Sequence, residues 1–186
     1  MNYWEKIRQQ KEEKVALVED EAVYTYGELV RQAAIRREEL PITVHRQIYR
    51  ITGTTIREQL VDFLACQGTA LVPVIVAESN KRKLYTEQSG LEETEQTVIP
   101  PEACMGVMTS GTTGTGRLLF RTYDSWAGYF DTQNRIFEMA EDTVLFAQGS
   151  LAFTGNLNFY MAMLCTGQTI VSTMTFQPRK WLEQIV

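Results

Sequence analysis

The stretch of the sequence most capable of chemistry is the run of nine residues at positions 109–117, which reads Thr-Ser-Gly-Thr-Thr-Gly-Thr-Gly-Arg. It contains three glycines, four threonines and one serine, and it ends in Arg117. Glycine adopts backbone angles that allow several amide N–H groups to converge on one anion, and hydroxyl groups add further donors. Arg117 would supply a fixed positive charge. The pattern therefore favours a phosphate-binding loop over a flexible polar hairpin loop.

The spacing of the glycines narrows the kind of phosphate loop. Gly111 and Gly116 have the separation of a Walker A loop, but Arg117 stands where that loop has lysine, and no serine or threonine follows it. Gly114 and Gly116 match the start of a dinucleotide-binding fingerprint, but Leu119 occupies the place of its third glycine. Both of these loops are therefore disfavoured.

Residues 109–114 resemble, position by position, the Thr-Ser-Gly-Thr-Thr-Gly phosphate-binding signature of the AMP-binding, adenylate-forming family, which includes acyl-CoA synthetases and peptide-synthetase adenylation domains. That signature continues with x-Pro-Lys, where residues 115–117 are Thr-Gly-Arg: glycine for proline loosens the loop, and arginine for lysine keeps the charge. Similar segments are Tyr-Thr-Tyr-Gly-Glu-Leu at 24–29, Arg-Thr-Tyr-Asp-Ser-Trp at 121–126 and Gly-Ser-Leu-Ala-Phe-Thr at 149–154.

The resemblance implies an α/β fold with a mostly parallel sheet flanked by helices, like the first subdomain of the family's N-terminal domain. Residues 1–186 would form a partial AMP-binding N-terminal domain with its phosphate loop at 109–117, and the C-terminal part of the family would be absent. In the family, the acidic magnesium ligand, the ribose-binding aspartate and the C-terminal lysine all lie further along. The main catalytic residues are therefore expected outside this chain, which we expect to be inactive alone.

The implied activity is that of an AMP-forming ligase, which activates a small carboxylic acid with ATP to an acyl-adenylate and passes the acyl group to a thiol. ATP and AMP with Mg²⁺ are the implied cofactors, and CoA or a carrier protein is the implied acceptor. Loop hydroxyls would bind the β- and γ-phosphates, the glycines would shape the backbone, and Arg117 would neutralise pyrophosphate. The implied binding residues are Thr109, Ser110, Gly111, Thr112, Thr113, Gly114, Thr115, Gly116 and Arg117.

The segment at 149–154 resembles the Gly-Pro-Leu-x-His-Ser of short bacterial acyl-CoA synthetases, with Phe153 at the position of the histidine. That position normally borders the acyl pocket, so the resemblance makes Phe153, with Gly155 behind it, a candidate pocket wall. An alternative register places Ala152 there. An ordinary core aromatic at position 153 is the competing interpretation.

Composition excludes several classes of function. The chain has 186 residues, 18 basic and 23 acidic side chains, a net charge of -5 and one histidine. This balance argues against a nucleic-acid or anionic-membrane binder. The best apolar run, at 70–77, falls well short of the roughly 20 residues that span a bilayer. The odd number of cysteines, all in or beside apolar stretches, indicates reduced, buried thiols. We therefore expect a cytoplasmic protein with no membrane span and no metal site of its own.

Hydrophobic periodicity alternates between strand and helix along the chain. It predicts a strand at 45–52, a helix that begins with the capping box of Thr55 and Glu58 and ends at Gly68, and a buried strand at 71–76. This order predicts a parallel pair with a right-handed crossover. Further expected features are an opening helix at 2–13, a capping box of Thr25 and Glu28, a solvated connection at 78–103, a helix capped by Asp124 with Trp126, Tyr129 and Phe130 in the core, and a last helix from Pro178.

Three hypotheses follow. The first is the N-terminal part of an adenylate-forming ligase. The second is a truncated, non-catalytic paralogue that binds a nucleotide or a partner. The third is an unrelated phosphate-binding domain such as a small kinase, which a helix beginning at Gly116 would favour and a strand at 118–121 would oppose.

Overall fold

A computed structural model of the chain describes residues 1–76, 98–109, 117–179 and 182. Within these ranges helices and strands alternate. In chain order they are α1 Tyr3–Ile7, β1 Val15–Glu19, β2 Ala22–Thr25, α2 Tyr26–Glu39, β3 Gln47–Ile51, α3 Ile56–Cys66, β4 Leu71–Ile75, β5 Met105–Thr109, β6 Arg117–Arg121, α4 Asp124–Ile136, β7 Val144–Gln148, α5 Thr154–Cys165 and β8 Thr169–Thr173.

The strands form two four-stranded sheets, in the orders β2-β1-β8-β7 and β3-β4-β5-β6. In the first sheet β1, β8 and β7 are parallel and β2 is antiparallel to β1. In the second sheet β3, β4 and β5 are parallel and β6 is antiparallel to β5. The predicted α/β fold with mostly parallel pairing is confirmed. The strands form two sheets because β8 pairs with β1 and β7. Hydrophobic periodicity does not predict such long-range pairing.

The unit β3-α3-β4 has the predicted construction. The Thr55 hydroxyl accepts the Glu58 N–H at 3.1 Å, and the Glu58 carboxylate accepts the N–H of Thr55 at 3.2 Å, so the capping box is complete. Gly68 follows the helix with φ of +80°, a conformation that favours glycine. All five residues of β4 are buried, as expected for a strand covered on both faces. β3 and β4 are parallel in a continuous register.

The first helix is shorter than predicted. The capping box of Asn2 and Glu5 starts α1, but the helix ends at Ile7 rather than near residue 13. Residues 8–14 contain no apolar side chain that could continue a buried face. The Gln10 side chain instead donates to the Cys165 carbonyl at 2.9 Å, which ties this segment to the end of α5. The second predicted capping box, Thr25 with Glu28, is present at the start of α2.

The start of α4 differs from the prediction. Asp124 does not cap the helix; the Thr122 hydroxyl accepts the Ser125 N–H at 3.2 Å. The hydroxyl of Thr122, three residues before Ser125, caps this amide, and Asp124 lies in the first turn of the helix. Trp126 is buried as predicted, but Tyr129 is 56% exposed and is not a core residue.

The larger of two hydrophobic core clusters among the described residues joins the two sheets. Its members include Leu17 and Ile170 of the first sheet and Ile51 and Met105 of the second. The helix α5 packs against strands of both sheets, and its residues 160–165 are all buried. The core therefore fixes the ends of the parallel strands of both sheets relative to one another.

Two predicted segments lie largely outside the described residues. The connection at 78–103 is described only from residue 98, and of the helix predicted from Pro178 only residues 178, 179 and 182 are described. Among the helices that the structure describes, none has the length and apolar character needed to cross a membrane.

Candidate functional site

The predicted phosphate loop joins two paired strands. Thr109, the last residue of β5, is the register partner of Arg117, the first residue of β6. The Arg117 N–H donates to the Thr109 hydroxyl at 3.2 Å, and that hydroxyl donates to the Arg117 carbonyl at 3.3 Å. These bonds close the base of the loop. The expected binding residues Ser110, Gly111, Thr112, Thr113, Gly114, Thr115 and Gly116 lie outside the described residues.

The element that follows the loop excludes a Walker A arrangement. A strand, Arg117–Arg121, begins directly after the loop, and its five residues pair antiparallel with β5. A Walker A loop opens a helix whose N-terminus faces the phosphates. The strand predicted at 118–121 is thus confirmed. A small kinase would need a helix at this position, so the strand counts against that hypothesis.

The base of the loop lies at the edge where the parallel strands of the second sheet end. Ligands of open α/β sheets bind in crevices at the carboxyl ends of strands. Gly106, three residues before Thr109 in β5, allows close packing of this strand, because a Cβ on it would lie 2.8 Å from Val74 Cγ2 and 2.9 Å from Leu118 Cδ1. Arg117 is exposed at this edge, so its guanidinium is accessible to a solvent-borne anion.

The candidate substrate segment, residues 149–154, follows β7 of the first sheet. Gly149 has φ of +90°, which turns the chain out of the strand, and α5 begins at Thr154. Phe153 is 70% exposed, so the interpretation of this residue as a core aromatic is wrong. Its ring lies against Gly155, where an added Cβ would be 2.9 Å from Phe153 Cε1. The structure thus brings Phe153 and Gly155 together at a surface.

Gln59 of α3 bonds the candidate substrate segment, a contact that the sequence did not predict. It is only 2% exposed, and its Oε1 accepts the N–H of Leu151 at 2.9 Å and the hydroxyl of Ser150 at 3.1 Å. Its Nε2 donates to the Gly53 carbonyl at 2.8 Å. The signal was a polar residue within the buried face of α3, three positions after Ile56.

Glu19, the last residue of β1, was also missed. Its carboxylate accepts the N–H of Ile56 at 2.5 Å and that of Arg57 at 2.9 Å, although only 7% of the residue is exposed. These two amides are among the donors that an α-helix leaves unpaired at its N-terminus. Glu19 therefore fixes the start of α3 from the first sheet, and with it the position of Gln59.

The three cysteines have a structural rather than a catalytic environment. Cys66 and Cys165 are buried, Cys104 is half-buried, and all are free thiols. Burial raises the pKa of each to about 12. At neutral pH they are protonated and weakly nucleophilic. Cys66 and Cys165 are buried as predicted, and Cys104 is less buried than predicted. His45 is exposed and precedes β3, so it lies outside the strand in which sequence placed it.

The described ranges contain no group of three or more histidine, cysteine, aspartate or glutamate residues arranged to hold a metal ion.

No family model matches the chain. Among curated proteins, VraA of Staphylococcus epidermidis, named as a long chain fatty acid-CoA ligase, is 25% identical over 199 aligned positions, which cover 96% of this chain and 43% of VraA. Its counterpart in Staphylococcus aureus strain COL is 33% identical over 76 residues, or 41% of this chain and 16% of the relative. The chain thus spans less than half the length of these relatives.

Solved structures with the same fold include a coenzyme A synthetase. The inhibitor-bound N-terminal domain of FACL13 from Mycobacterium tuberculosis superposes with a TM-score of 0.79 at 13% identity, over 100% of this chain and 60% of that one. The o-succinylbenzoate coenzyme A synthetase of Bacillus subtilis, in complex with ATP and magnesium, gives 0.72 at 14% identity, over 99% and 60%. The chain has the fold of the N-terminal part of adenylate-forming CoA synthetases. The resemblance in sequence and the resemblance in fold thus point to the same group of enzymes.

Proposed function

We propose that this chain is the phosphate-loop part of an AMP-forming ligase, which activates a carboxylic acid with ATP to an acyl-adenylate and transfers the acyl group to a thiol such as CoA. The observation that carries the proposal is the hairpin of β5 and β6. It holds a Thr-Ser-Gly-Thr-Thr-Gly loop between paired strands and ends it in an exposed arginine. The structures of the same fold include a synthetase in complex with ATP and magnesium.

In this proposal the residues of the loop bind and position the phosphates. Gly111, Gly114 and Gly116 would allow backbone conformations in which N–H groups converge on phosphate oxygens. The hydroxyls of Ser110 and Thr112 would donate further hydrogen bonds to the same oxygens. Thr113 and Thr115 are assigned to the same task. Such a loop acts by orientation and by charge stabilisation rather than by proton transfer.

Thr109 and Arg117 have different roles in this proposal. The Thr109 hydroxyl is bonded to the Arg117 backbone, so it closes the loop and would bind a phosphate only by exchanging this partner. The Arg117 side chain is exposed and would neutralise the pyrophosphate. ATP with its Mg²⁺ supplies the activated α-phosphate when bound, and we place the metal's protein ligand in the further part of a complete ligase, as the resemblance to the family implies.

The acyl side is assigned to the exposed Phe153 with Gly155, and the segment that holds them follows β7. The name of the relative VraA makes a fatty acid the first carboxylic acid to test. CoA or a carrier protein would accept the acyl group. The whole proposal concerns residues 1–186 as a partial AMP-binding domain.

The deciding experiment is titration of the chain with Mg-ATP and with pyrophosphate by isothermal calorimetry. We expect Arg117→Ala to weaken both affinities by about 10- to 150-fold, since a lost charge-assisted bond to an anion costs roughly 1.5–3 kcal/mol. Arg135→Ala, which removes an exposed arginine from α4, is the matched control and should leave both affinities unchanged. Equal affinities in all three proteins, or no binding by the parent chain, would refute the assignment of the loop.

Catalytic status is a separate measurement. We expect the chain alone to show negligible carboxylate-dependent exchange of pyrophosphate into ATP, because the implied acidic and lysine residues are not assigned to it. Robust exchange with decanoate would show that these 186 residues suffice and would overturn the partial-domain proposal. Nucleotide binding without exchange is also what the non-catalytic paralogue predicts, so calorimetry and exchange together separate a phosphate-binding part from a complete enzyme.

A further inference from the structure

The segment between β7 and α5 is held by side chains from two elements. From α3, the buried Gln59 accepts the Leu151 N–H and the Ser150 hydroxyl and donates to the Gly53 carbonyl. One amide thus connects the chain after β3, in the second sheet, with the chain after β7, in the first. Moving this buried side-chain amide would cost free energy, because each hydrogen bond lost would leave a buried polar group with neither a protein partner nor water.

Ser150, within the segment, and Asn156, in the first turn of α5, complete the arrangement. The Ser150 hydroxyl accepts the Ala152 N–H at 3.1 Å while it donates to Gln59, and the Phe153 N–H donates to the Ser150 carbonyl at 3.2 Å. The Asn156 amide donates to the Gln148 carbonyl at 2.9 Å and to the Gly149 carbonyl at 3.2 Å. The backbone from 148 to 153 therefore has bonds that fix it on both sides.

This fixed backbone presents an aromatic ring to solvent. Phe153 is 70% exposed at the end of the segment, and its ring rests on Gly155, which has no side chain to displace it. Exposure of a phenylalanine gives up the favourable burial of its apolar surface. A single exposed aromatic needs no explanation by itself. Here, however, a network of buried hydrogen bonds fixes the backbone that carries Phe153.

We propose that Gln59 and Ser150 are positioning residues that hold the segment 148–153 in one conformation and so direct Phe153 toward the apolar portion of the carboxylic acid. The contact between Phe153 and the acid rests on the proposed function; the positioning of Phe153 does not. Ser150 stands where the similar Gly-Pro-Leu segments have proline. Its two hydrogen bonds restrict the backbone in place of the proline ring, and neither involves substrate.

Nuclear magnetic resonance of the whole chain tests the positioning directly. In the parent we expect slow amide exchange at Leu151 and Ala152, and a nuclear Overhauser contact between the Phe153 ring and the Gly155 α protons. Ser150→Ala should raise the exchange rate of Ala152 about tenfold and weaken the ring contact, and Gln59→Leu should do the same for Leu151. Gln133→Leu is the matched control, because it removes a buried glutamine from α4, which has no described bond to this segment.

Ser150→Pro separates positioning from direct contact. It removes the hydroxyl but restricts the backbone, so we expect the Phe153–Gly155 contact to return to its parental strength while Ala152 still exchanges fast. Binding of decanoate, measured by calorimetry, should fall about tenfold in Ser150→Ala and recover in Ser150→Pro, since the substrate would depend on the position of Phe153 alone.

Each contrary outcome is specific. Unchanged exchange and an unchanged ring contact in both Ser150→Ala and Gln59→Leu would overturn the positioning role, as would equal effects in Gln133→Leu. Failure of Ser150→Pro to restore decanoate affinity would show that the hydroxyl itself contacts the ligand and would overturn the proposal. Intact exchange effects with no decanoate binding by the parent would leave the positioning supported and remove the acid as the ligand of Phe153, which counts against the proposed function instead.

Discussion

At the scale of single residues, burial decides the chemistry of the thiols. The pKa of Cys66, of Cys104 and of Cys165 is raised to about 12, with desolvation as the main cause in each. An unfolded cysteine titrates near 8.5. Because the folded pKa is higher, the thiols favour the folded state at and below about pH 8.5, and this contribution declines as the pH rises toward about 12.

We therefore predict that iodoacetamide at pH 8 modifies the native chain slowly and modifies all three cysteines of the urea-unfolded chain rapidly. Intact-mass spectrometry over time measures both reactions. Cys104 should react first in the native protein, since it alone is half-buried. Rapid native modification of Cys66 or Cys165 would contradict the burial described for them.

Glu58 has the opposite titration behaviour. Hydrogen bonds from the backbone N–H groups of Thr54 and Thr55 lower its pKa, the Thr54 bond having the larger effect. Its contribution is therefore present above the ordinary glutamate pKa of about 4.3 and is lost as the pH falls through the lowered folded value. We predict that Glu58→Gln, which keeps a residue suited to the capping box, is less stable than the parent at pH 7. The difference should shrink below about pH 4. Urea unfolding between pH 3 and 7 measures it, and a difference independent of pH would contradict the prediction.

At the scale of elements, a carboxylate from the first sheet determines where α3 begins. Glu19 bonds two N-terminal amides of α3, and Glu21, two residues later, is exposed in the turn after β1. We predict that Glu19→Ala lowers the free energy of unfolding by about 1–3 kcal/mol, because it leaves buried amides without acceptors. Glu21→Ala should stay within about 0.5 kcal/mol of the parent. Chemical denaturation measures both, and equal effects would show that the charge rather than the cap matters.

How far the elements could be predicted depends on the range of the interactions that define them. Two of the three described capping boxes, Thr25 with Glu28 and Thr55 with Glu58, were predicted because their partners are three residues apart; that of Asn2 with Glu5 has the same spacing and was not predicted. The cap made by Glu19 on α3 and the bonds of Gln59 with Ser150 and Leu151 were not predicted, since their partners lie far along the sequence.

The same reasoning applies to the candidate site. The strand after the phosphate loop was predicted from a short apolar run, and the loop itself from its glycines and hydroxyls. The exposure of Phe153 was not predicted. An aromatic beside apolar residues is usually taken as a core residue, whereas bonds of Ser150, Gln59 and Asn156 hold the backbone that carries this exposed side chain.

At the scale of the whole molecule, the two sheets should unfold together. Residues of both sheets share one core, and α5 packs against both. We predict a single transition in which tryptophan fluorescence and far-ultraviolet circular dichroism coincide. Leu17→Ala in the first sheet and Ile51→Val in the second should each shift both signals together, by about 2–5 and about 0.5–1.5 kcal/mol respectively. Separate transitions would show that the sheets are independent units.

The strand order of the first sheet has a consequence for how the chain folds during synthesis. The second sheet pairs strands that follow one another along the sequence, so it can assemble as soon as β6 has been made. In the first sheet β8 lies between β1 and β7, and the hydroxyl of Thr169 bonds the carbonyl of Val15 across 154 positions. Contacts at such separation form late, because the intervening loop must be closed first. The hairpin of β1 and β2 is synthesised before the other described strands, but its sheet is complete only after β8, the last strand described, has been made.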